Sequence, residues 1–264
     1  MGEAAEEMWG MGDYRKIAAD HQIMCERLCE TLCVTPRHYV LDVACGTGNA
    51  TIAIARRRAK VVGVDFSQPL LDRARQRVEV EGFTDVNFVH GDIRAMDFPD
   101  SSFDIVISTV GATFMVDQAA MARELLRVVK PGGRIALTTY ARQSLPSDIY
   151  HIAGDLSPRP SGVEPVYTWT DGNRAADLLG HACSSIEISH HSYDACFNSA
   201  EEFFDHNIAY YGPMLTRYGQ MPLDQQEIYK SRVIAAMQKY NRATDGSLVA
   251  RFNYASIIAV RDKN

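Results

Sequence analysis

Three carboxylates stand where a ligand could be recognised. Asp42, Asp65 and Asp92 each lie within or just after a short apolar run that is typical of a β-strand. Because parallel strands end at one edge of a sheet, these side chains are expected to line one crevice. An acid before a glycine loop attracts an ammonium group and repels pyrophosphate, and an acid ending the second strand suits ribose hydroxyls. Any one acid taken alone could instead cap the following helix. Together they predict a ligand with an ammonium group, a ribose and an adenine, and no phosphates.

A glycine-rich loop, Cys45-Gly46-Thr47-Gly48, separates the first apolar run from a helical segment. Glycines there let a ligand approach the backbone, and the N-terminus of the following helix offers unpaired N–H groups. A nicotinamide dinucleotide fits less well, because Thr51 stands at the third glycine position and Asp42 would face the phosphates. S-adenosylmethionine fits the acids and the loop, and an NAD-dependent oxidoreductase is the disfavoured alternative.

Candidate proton acceptors lie in the C-terminal half, at His151, His206, Tyr210 and Tyr211. His206 and Tyr210 are four residues apart on a predicted helix, so both are expected to face one pocket. We take these two as the catalytic pair; the alternative is that the histidine is a structural residue. The aromatic residues of this region predict either core packing or a pocket for an apolar or aromatic small molecule. They are Phe197, Phe203, Phe204, Tyr210, Tyr211 and Tyr218.

Strands and helices alternate along most of the chain. Apolar and β-branched runs predict strands at 39–43, 61–64, 86–89, 103–108, 134–139, 185–193 and 248–260. Helical patterns occupy 14–34, 49–58, 69–81, 118–129, 174–179, 199–218 and 223–240. Residues 141–171 contain several prolines and are predicted to form a long loop. The alternation predicts an α/β fold with a doubly wound, mostly parallel sheet and helices on both faces.

Composition narrows the classes of function. The 264 residues include 33 acidic and 27 basic ones, a net charge of −6, which argues against a general nucleic-acid binder. No apolar run reaches the ~18 residues of a membrane span and no secretion signal is evident, so a cytoplasmic protein without a membrane partner is expected. Cys25, Cys29 and Cys33 share one helix side, but they have no evident fourth ligand and predict no metal site. A small-molecule substrate is the expected partner; the oligomeric state stays open, with a homodimer as one option.

Residues 38 to 140 resemble the class I S-adenosylmethionine-dependent methyltransferases, specifically the branch of quinone-biosynthesis (type 11) enzymes. The resemblance rests on Leu41-Asp42-Val43-Ala44-Cys45-Gly46-Thr47-Gly48, Val64-Asp65-Phe66-Ser67, Gly91-Asp92-Ile93, the run 98–104 and the run 124–134. It implies a seven-stranded sheet whose last strand is antiparallel. A glycine is frequent where this chain has Ala44. A histidine is frequent after the fourth strand, where this chain has Thr113-Phe114-Met115, so no base is assigned in that loop.

The same resemblance implies which residues would contact the cofactor. The glycine loop would face its methionine end, Asp65 would hold the ribose, and Phe66 would cover the adenine. Tyr14 would close over the cofactor from the N-terminal helix. The complete implied set is Tyr14, Asp42, Ala44, Gly46, Gly48, Asp65, Phe66, Asp92, Ile93, Ser108 and Thr109.

Four segments follow from this interpretation. Residues 1–37 are expected to form an N-terminal helical cap, 38–198 the cofactor-binding core, 199–246 a helical insertion over the substrate, and 247–264 the final strand of the core. The expected activity is methylation of an O, N or C atom of a small metabolite, with secondary metabolism as one setting. The alternative is a methyltransferase fold repurposed as a cofactor-binding cyclase or scaffold.

Overall fold

The computed structural model describes residues 3–156, 165–170 and 173–263. Its strands are β1 Tyr39–Val43, β2 Lys60–Asp65, β3 Val86–His90, β4 Phe103–Thr109, β5 Val129–Tyr140, β6 Cys183–Phe197 and β7 Leu248–Arg261. They form one seven-stranded sheet in the order β3-β2-β1-β4-β5-β7-β6. The first five strands pair in parallel, whereas β7 runs antiparallel between β5 and β6. The predicted α/β class and the antiparallel last strand are therefore confirmed.

Helices surround this sheet. They are α1 Glu3–Gly10, α2 Tyr14–Ala18, α3 Gln22–Thr31, α4 Asn49–Arg56, α5 Gln68–Glu81, α6 Gln118–Val128, α7 Leu145–Leu156, α8 Asn173–Leu179, α9 Ala200–Tyr210, α10 Gly212–Gln220 and α11 Leu223–Tyr240. Short 3₁₀ turns occupy Ala19–His21, Gly111–Phe114, Val166–Trp169 and Gly180–Ala182. No helix in the described ranges is long and apolar enough to cross a membrane.

Both faces of the central strands are buried, which explains why these strands are apolar throughout. Successive side chains of a strand point to opposite faces, so Leu41 joins one hydrophobic cluster and Val40 joins another. Helices α6 and α8 cover the first face, while α3 and α4 cover the second. In α3, Cys25 and Cys29 are buried in or beside this second cluster.

The predicted loop at 141–171 is wrong over its first half, where α7 forms. Pro146 is the second residue of that helix, a position where the fixed φ of proline suits the first turn and its missing N–H is not needed. Ile152 and Ala153 are buried in a third hydrophobic cluster, so packing against the C-terminal helices stabilises α7. Residues 157–164 and 171, which fall in the same predicted loop, lie outside the described ranges.

Two helices predicted to be continuous are interrupted. The segment 14–34 contains the 3₁₀ turn Ala19–His21, and the segment 199–218 breaks at Tyr211. The backbone of Tyr211 has φ −93° and ψ 101°, and this residue forms an isolated antiparallel bridge with Gly12. Gly212-Pro213, directly after Tyr211, is a local signal for this break, because proline lacks the N–H that would continue α9 and stands instead in the first turn of α10.

The N-terminal segment approaches the C-terminal helices closely at two glycines. Gly12 has φ +68°, and a Cβ added there would lie 2.6 Å from the carbonyl oxygen of Tyr210. A Cβ added to Gly212 would overlap the carbonyl oxygen of Met8. Backbone therefore meets backbone between α1 and α10, with no room for a side chain.

We predict that Gly212→Ala destabilises the protein. The added methyl group meets main-chain atoms, so relief requires α1 to shift, and overpacking of this kind costs about 1–3 kcal/mol. Thermal unfolding should report a Tm that is lower by roughly 2–12 °C.

Gly219→Ala is the matched control, because Gly219 lies on the same helix and nothing stands within 4 Å of its added Cβ. Alanine also has the higher helix propensity, so the control should keep or raise the Tm. Equal Tm values for the two variants would contradict the close α1–α10 contact.

Candidate functional site

A cavity of about 740 Å³ opens at the carboxyl ends of β1, β2 and β4, beneath cap helices that include α1, α2, α9, α10 and α11. Many of the predicted cofactor residues line its wall: Tyr14, Ala44, Gly46, Asp65, Phe66, Asp92, Ile93 and Thr109. Asp42, Gly48 and Ser108 do not line it. Crevices at this edge of open α/β sheets are the usual ligand sites of such folds.

Asp65 ties the glycine loop to the end of β2. Its Oδ2 accepts a hydrogen bond from the Gly46 N–H at 2.8 Å, and its Oδ1 accepts one from the Ser67 N–H at 2.9 Å. Gly46 has φ +53° and Gly48 has φ +83°, left-handed conformations that cost glycine little. The loop therefore turns sharply and exposes its backbone to the cavity.

Burial raises the pKa of both inner acids. The pKa of Asp65 rises to about 6 because the carboxyl is almost fully buried, although the N–H groups of Ser67 and Gly46 favour its ionised form. The pKa of Asp42 rises to about 7, chiefly through burial, with a further contribution from the negative charge of Asp65. The hydroxyl of Thr51 acts in the opposite direction by donating to Asp42.

The predicted cofactor residues that do not line the cavity shape the loops behind its wall instead. Asp42 lies under the glycine loop, where its Oδ2 accepts a hydrogen bond from the Thr51 hydroxyl at 2.6 Å. Gly48 precedes α4, and the Ser108 Oγ accepts a hydrogen bond from the Ala112 N–H at 3.0 Å. Direct contact of these residues with a cofactor stays a prediction, which their buried positions do not favour.

Asp92 lines the cavity but already has a partner. The Arg94 Nε donates to its Oδ1 at 3.0 Å, and the Arg94 Nη2 donates to its Oδ2. This guanidinium holds the pKa of Asp92 well below its usual range. An adenine amine would therefore share an ionised carboxylate with Arg94.

Two residues other than glycine have positive φ at the cavity. Ala44 follows β1 with φ +53°, and Val110 follows β4 with φ +67°. Such backbone is uncommon for alanine and a steric outlier for a β-branched residue, and these outliers concentrate at functional sites. A Cβ on Gly111 would lie 2.7 Å from the Cβ of Ala44, so the two loops meet without room for a larger side chain.

Aromatic rings form another part of the cavity lining. The Trp9 ring packs edge-on against those of Tyr14, Phe114 and Tyr211, with centroids 5.9, 6.1 and 5.8 Å away. The hydroxyls of Tyr150 and Tyr211 are 2.6 Å apart. This aromatic wall consists of Trp9, Phe114, Tyr150, Phe203, Tyr211, Tyr229 and Phe252.

The residues predicted as the catalytic pair lie outside the cavity lining. His206 and Tyr210 do share one side of α9, with ring centroids 5.0 Å apart, but the Lys16 ammonium lies over that side, 3.8 Å from the Tyr210 ring centre. The helix break brings Tyr211 to the cavity instead. His151 is exposed and also outside the lining. A catalytic role for His206 and Tyr210 stays a prediction that their position does not favour.

No sequence pattern selected His21, which lines the cavity beside Tyr140. The His21 Nε2 lies 3.0 Å from the Tyr140 hydroxyl. Burial lowers the pKa of His21 to about 4, so its imidazole is neutral around pH 7. The available signal was helical spacing, since Tyr14, Ile17 and His21 fall on one side of a helix and all three line the cavity.

The glycine loop and the strand ends form the polar side of the cavity, here called the polar wall, with Gly46, Thr47, Asp65 and Asp92 among its residues. This wall fits the expected cofactor in two observable respects. The hydroxyl of Thr47 is buried at the wall and has no hydrogen-bond partner among the described residues. A Cβ added at Gly46 would have only the Tyr14 ring within 4 Å, at 3.9 Å, so the loop leaves space for a close ligand. Both features suit the polar amino-acid end of a nucleoside cofactor.

Comparisons with known proteins agree with this site. Residues 40–133 match a family model described as a methyltransferase domain. The demethylmenaquinone methyltransferase of Clavibacter sepedonicus is 38% identical over 122 residues, which cover 46% of this chain and 49% of that enzyme. The aligned part thus spans about half of each protein.

Solved structures share the fold over most of the chain. A provisionally assigned methyltransferase from Bacillus halodurans has a TM-score of 0.62 at 21% identity and covers 90% of this chain and 98% of its own. The cyclase SpnF has a TM-score of 0.54 at 19% identity and covers 97% and 85%, so the fold alone does not decide the reaction. The sequence similarity falls on the strands and loops that build the polar wall, and residues 40–133 match a methyltransferase domain similar to that of the quinone-biosynthesis enzymes.

Proposed function

We propose that this methyltransferase acts on a small apolar or aromatic molecule held beneath the cap. The observation that carries the proposal is a single cavity whose polar loops and aromatic wall face the same space. Cavities of roughly 300–1,000 Å³ accept small-molecule ligands, and aromatic walls suit flat apolar ones. Cofactor and acceptor must meet in one space for transfer, and this cavity offers chemically distinct surroundings for each.

The polar wall supplies the groups that would hold S-adenosylmethionine. The Asp65 carboxylate has lone pairs beyond those used by Gly46 and Ser67, and these would accept hydrogen bonds from ribose hydroxyls. Phe66 and Ile93 would enclose the adenine. When bound, the cofactor supplies an electrophilic methyl group on a sulfonium centre.

The protein's contribution to transfer is mainly positional. The cap and the aromatic wall would exclude water and hold the acceptor atom in line with the methyl group. Holding two reactants in productive orientation lowers a barrier by up to about 7–11 kcal/mol. A base is required only when the acceptor is a hydroxyl or an amine that must lose a proton.

We assign to His21 the role of the base that accepts this proton. Its neutral imidazole would accept the proton from the acceptor directly, or through the Tyr140 hydroxyl 3.0 Å away. Both side chains line the cavity, whereas His206 and Tyr210 do not.

The proposal is tested by incubating the protein with S-adenosylmethionine labelled in its methyl group and a panel of phenols, quinols and aromatic acids. Transfer of label to one class of acceptor supports it. Binding of S-adenosylhomocysteine without transfer to any small molecule would contradict it and favour a repurposed relative of the family.

Asp65→Asn should weaken binding of S-adenosylhomocysteine by about 10- to 100-fold, because it loses charge-assisted hydrogen bonds to the ribose. Titration calorimetry measures the change. Asp177→Asn on the exposed side of α8 is the matched control and should bind normally. An unchanged affinity for the Asp65 variant, with its Tm preserved, would remove Asp65 from the cofactor site.

The affinity of the unaltered protein for S-adenosylhomocysteine should fall as the pH is lowered from 8 to 5. The pKa of Asp65 is about 6 in the fold, so its carboxylate accepts hydrogen bonds above this pH and is protonated below it. The loss approaches tenfold per pH unit below pH 6 if this one group controls binding. Asp65→Asn should flatten the profile, and an equal slope in both proteins would contradict the assignment.

His21→Gln should lower kcat by up to about 100-fold with any hydroxyl acceptor that the panel identifies, because the proton acceptor is lost and an imidazole with a pKa of about 4 is a weak base. Calorimetric affinity for S-adenosylhomocysteine should stay within about threefold. In the unaltered protein, kcat should show no histidine titration between pH 6 and 8, since the pKa of His21 is about 4. An unchanged kcat in the variant would exclude His21 as the base.

A further inference from the structure

Helix α10 presents one cation to the cavity. Its residues on the wall are Pro213, Met214, Thr216, Arg217 and Gln220. Among the described residues that line the cavity, Arg217 is the only lysine or arginine. Its charge acts on the phenols of Tyr211 and Tyr229, which are both members of the aromatic wall. A positive charge therefore stands beside the surface that suits a flat apolar acceptor.

Arg217 has no anionic partner in the part of the chain that the structure describes. It is half-buried, yet its guanidinium donates no hydrogen bond and forms no ion pair there. By contrast, Arg94 is engaged, since it pairs with the cavity residue Asp92. A guanidinium has five N–H donors, and an anion entering the cavity would satisfy those that face it.

The pKa values of the two neighbouring tyrosines show the effect of the Arg217 charge. Burial raises the pKa of Tyr211 to about 12, while the Tyr150 hydroxyl and the Arg217 charge act in the opposite direction. Arg217 also opposes the larger effect of burial on the pKa of Tyr229. A cation that favours negative charge on these oxygens would also favour it on a ligand oxygen in the same space.

We propose that Arg217 binds a carboxylate on the methyl acceptor, so that the acceptor is an aromatic carboxylic acid. This inference rests on the proposed function, because it requires the acceptor to lie against the aromatic wall. A planar guanidinium can pair with a carboxylate through two parallel N–H···O bonds. Such a pair fixes one end of a flat molecule, while ring contacts fix its plane.

The test measures charge discrimination in protein saturated with S-adenosylhomocysteine. Calorimetry compares three acids with their neutral amides: benzoate with benzamide, cinnamate with cinnamamide, and 2-naphthoate with 2-naphthamide. At least one acid should bind about 10- to 100-fold more tightly than its amide. Arg217→Gln should abolish that preference without changing amide affinity, and Arg217→Lys should restore part of it.

Arg232→Gln is the matched control, because it removes the same charge from a surface arginine of α11 that pairs with Asp155. It should keep the preference for the acid. The inference is overturned if no acid binds more tightly than its amide, or if Arg217→Gln keeps the preference.

Two further outcomes separate this inference from the proposed function. If Arg217→Gln weakens S-adenosylhomocysteine and leaves acid and amide affinities unchanged, Arg217 serves the cofactor carboxylate and the inference fails alone. If the unaltered protein does not bind S-adenosylhomocysteine, the proposed function fails and the inference falls with it.

Discussion

The link between the Asp65 carboxylate and the N–H groups of Gly46 and Ser67 sets the geometry of the site. It joins the loop after β1 to the turn after β2. The carboxylate is buried at the cost of a raised pKa, and its two N–H donors offset part of that cost. The polar wall therefore depends on a charge that is expensive to bury but well supported by hydrogen bonds.

Small residues let the backbone come close enough for this link. A Cβ on Gly63 in β2 would lie 2.8 Å from the Phe88 ring and 2.9 Å from the Cys45 Sγ, so the glycine lets both side chains pack beneath the loop. Ala44 and Gly111 meet in the same manner between the loops after β1 and β4. Close packing at the sheet edge thus leaves the loop backbone, rather than side chains, facing the ligand.

The cap closes the cavity with segments that are far apart in the chain. Gly12 pairs with Tyr211, and the Trp9 ring rests against Tyr211 and Phe114. The aromatic wall combines the N-terminal segment with the α9–α10 junction. It therefore exists only in the assembled fold. The resulting cavity is polarised, with acids at the strand ends and the Arg217 guanidinium on α10.

The sequence by itself determined the sheet, the glycine loop and the acids at the strand ends, because these depend on local patterns: apolar runs, glycines that permit left-handed backbone, and spacing within one βαβ unit. It also indicated a methyltransferase domain through that same contiguous stretch. Only the tertiary structure decided which side chains face the cavity. The loop predicted over 141–156 was wrong because its proline, Pro146, stands in the first turn of α7, where a helix tolerates proline. Tyr211 replaced His206 and Tyr210 at the wall because the helix breaks at Tyr211, where Gly212-Pro213 begins α10 and a bridge joins Tyr211 to Gly12, 199 residues away. Local periodicity records which residues share a side of a helix, but what that side faces is set by contacts between distant segments.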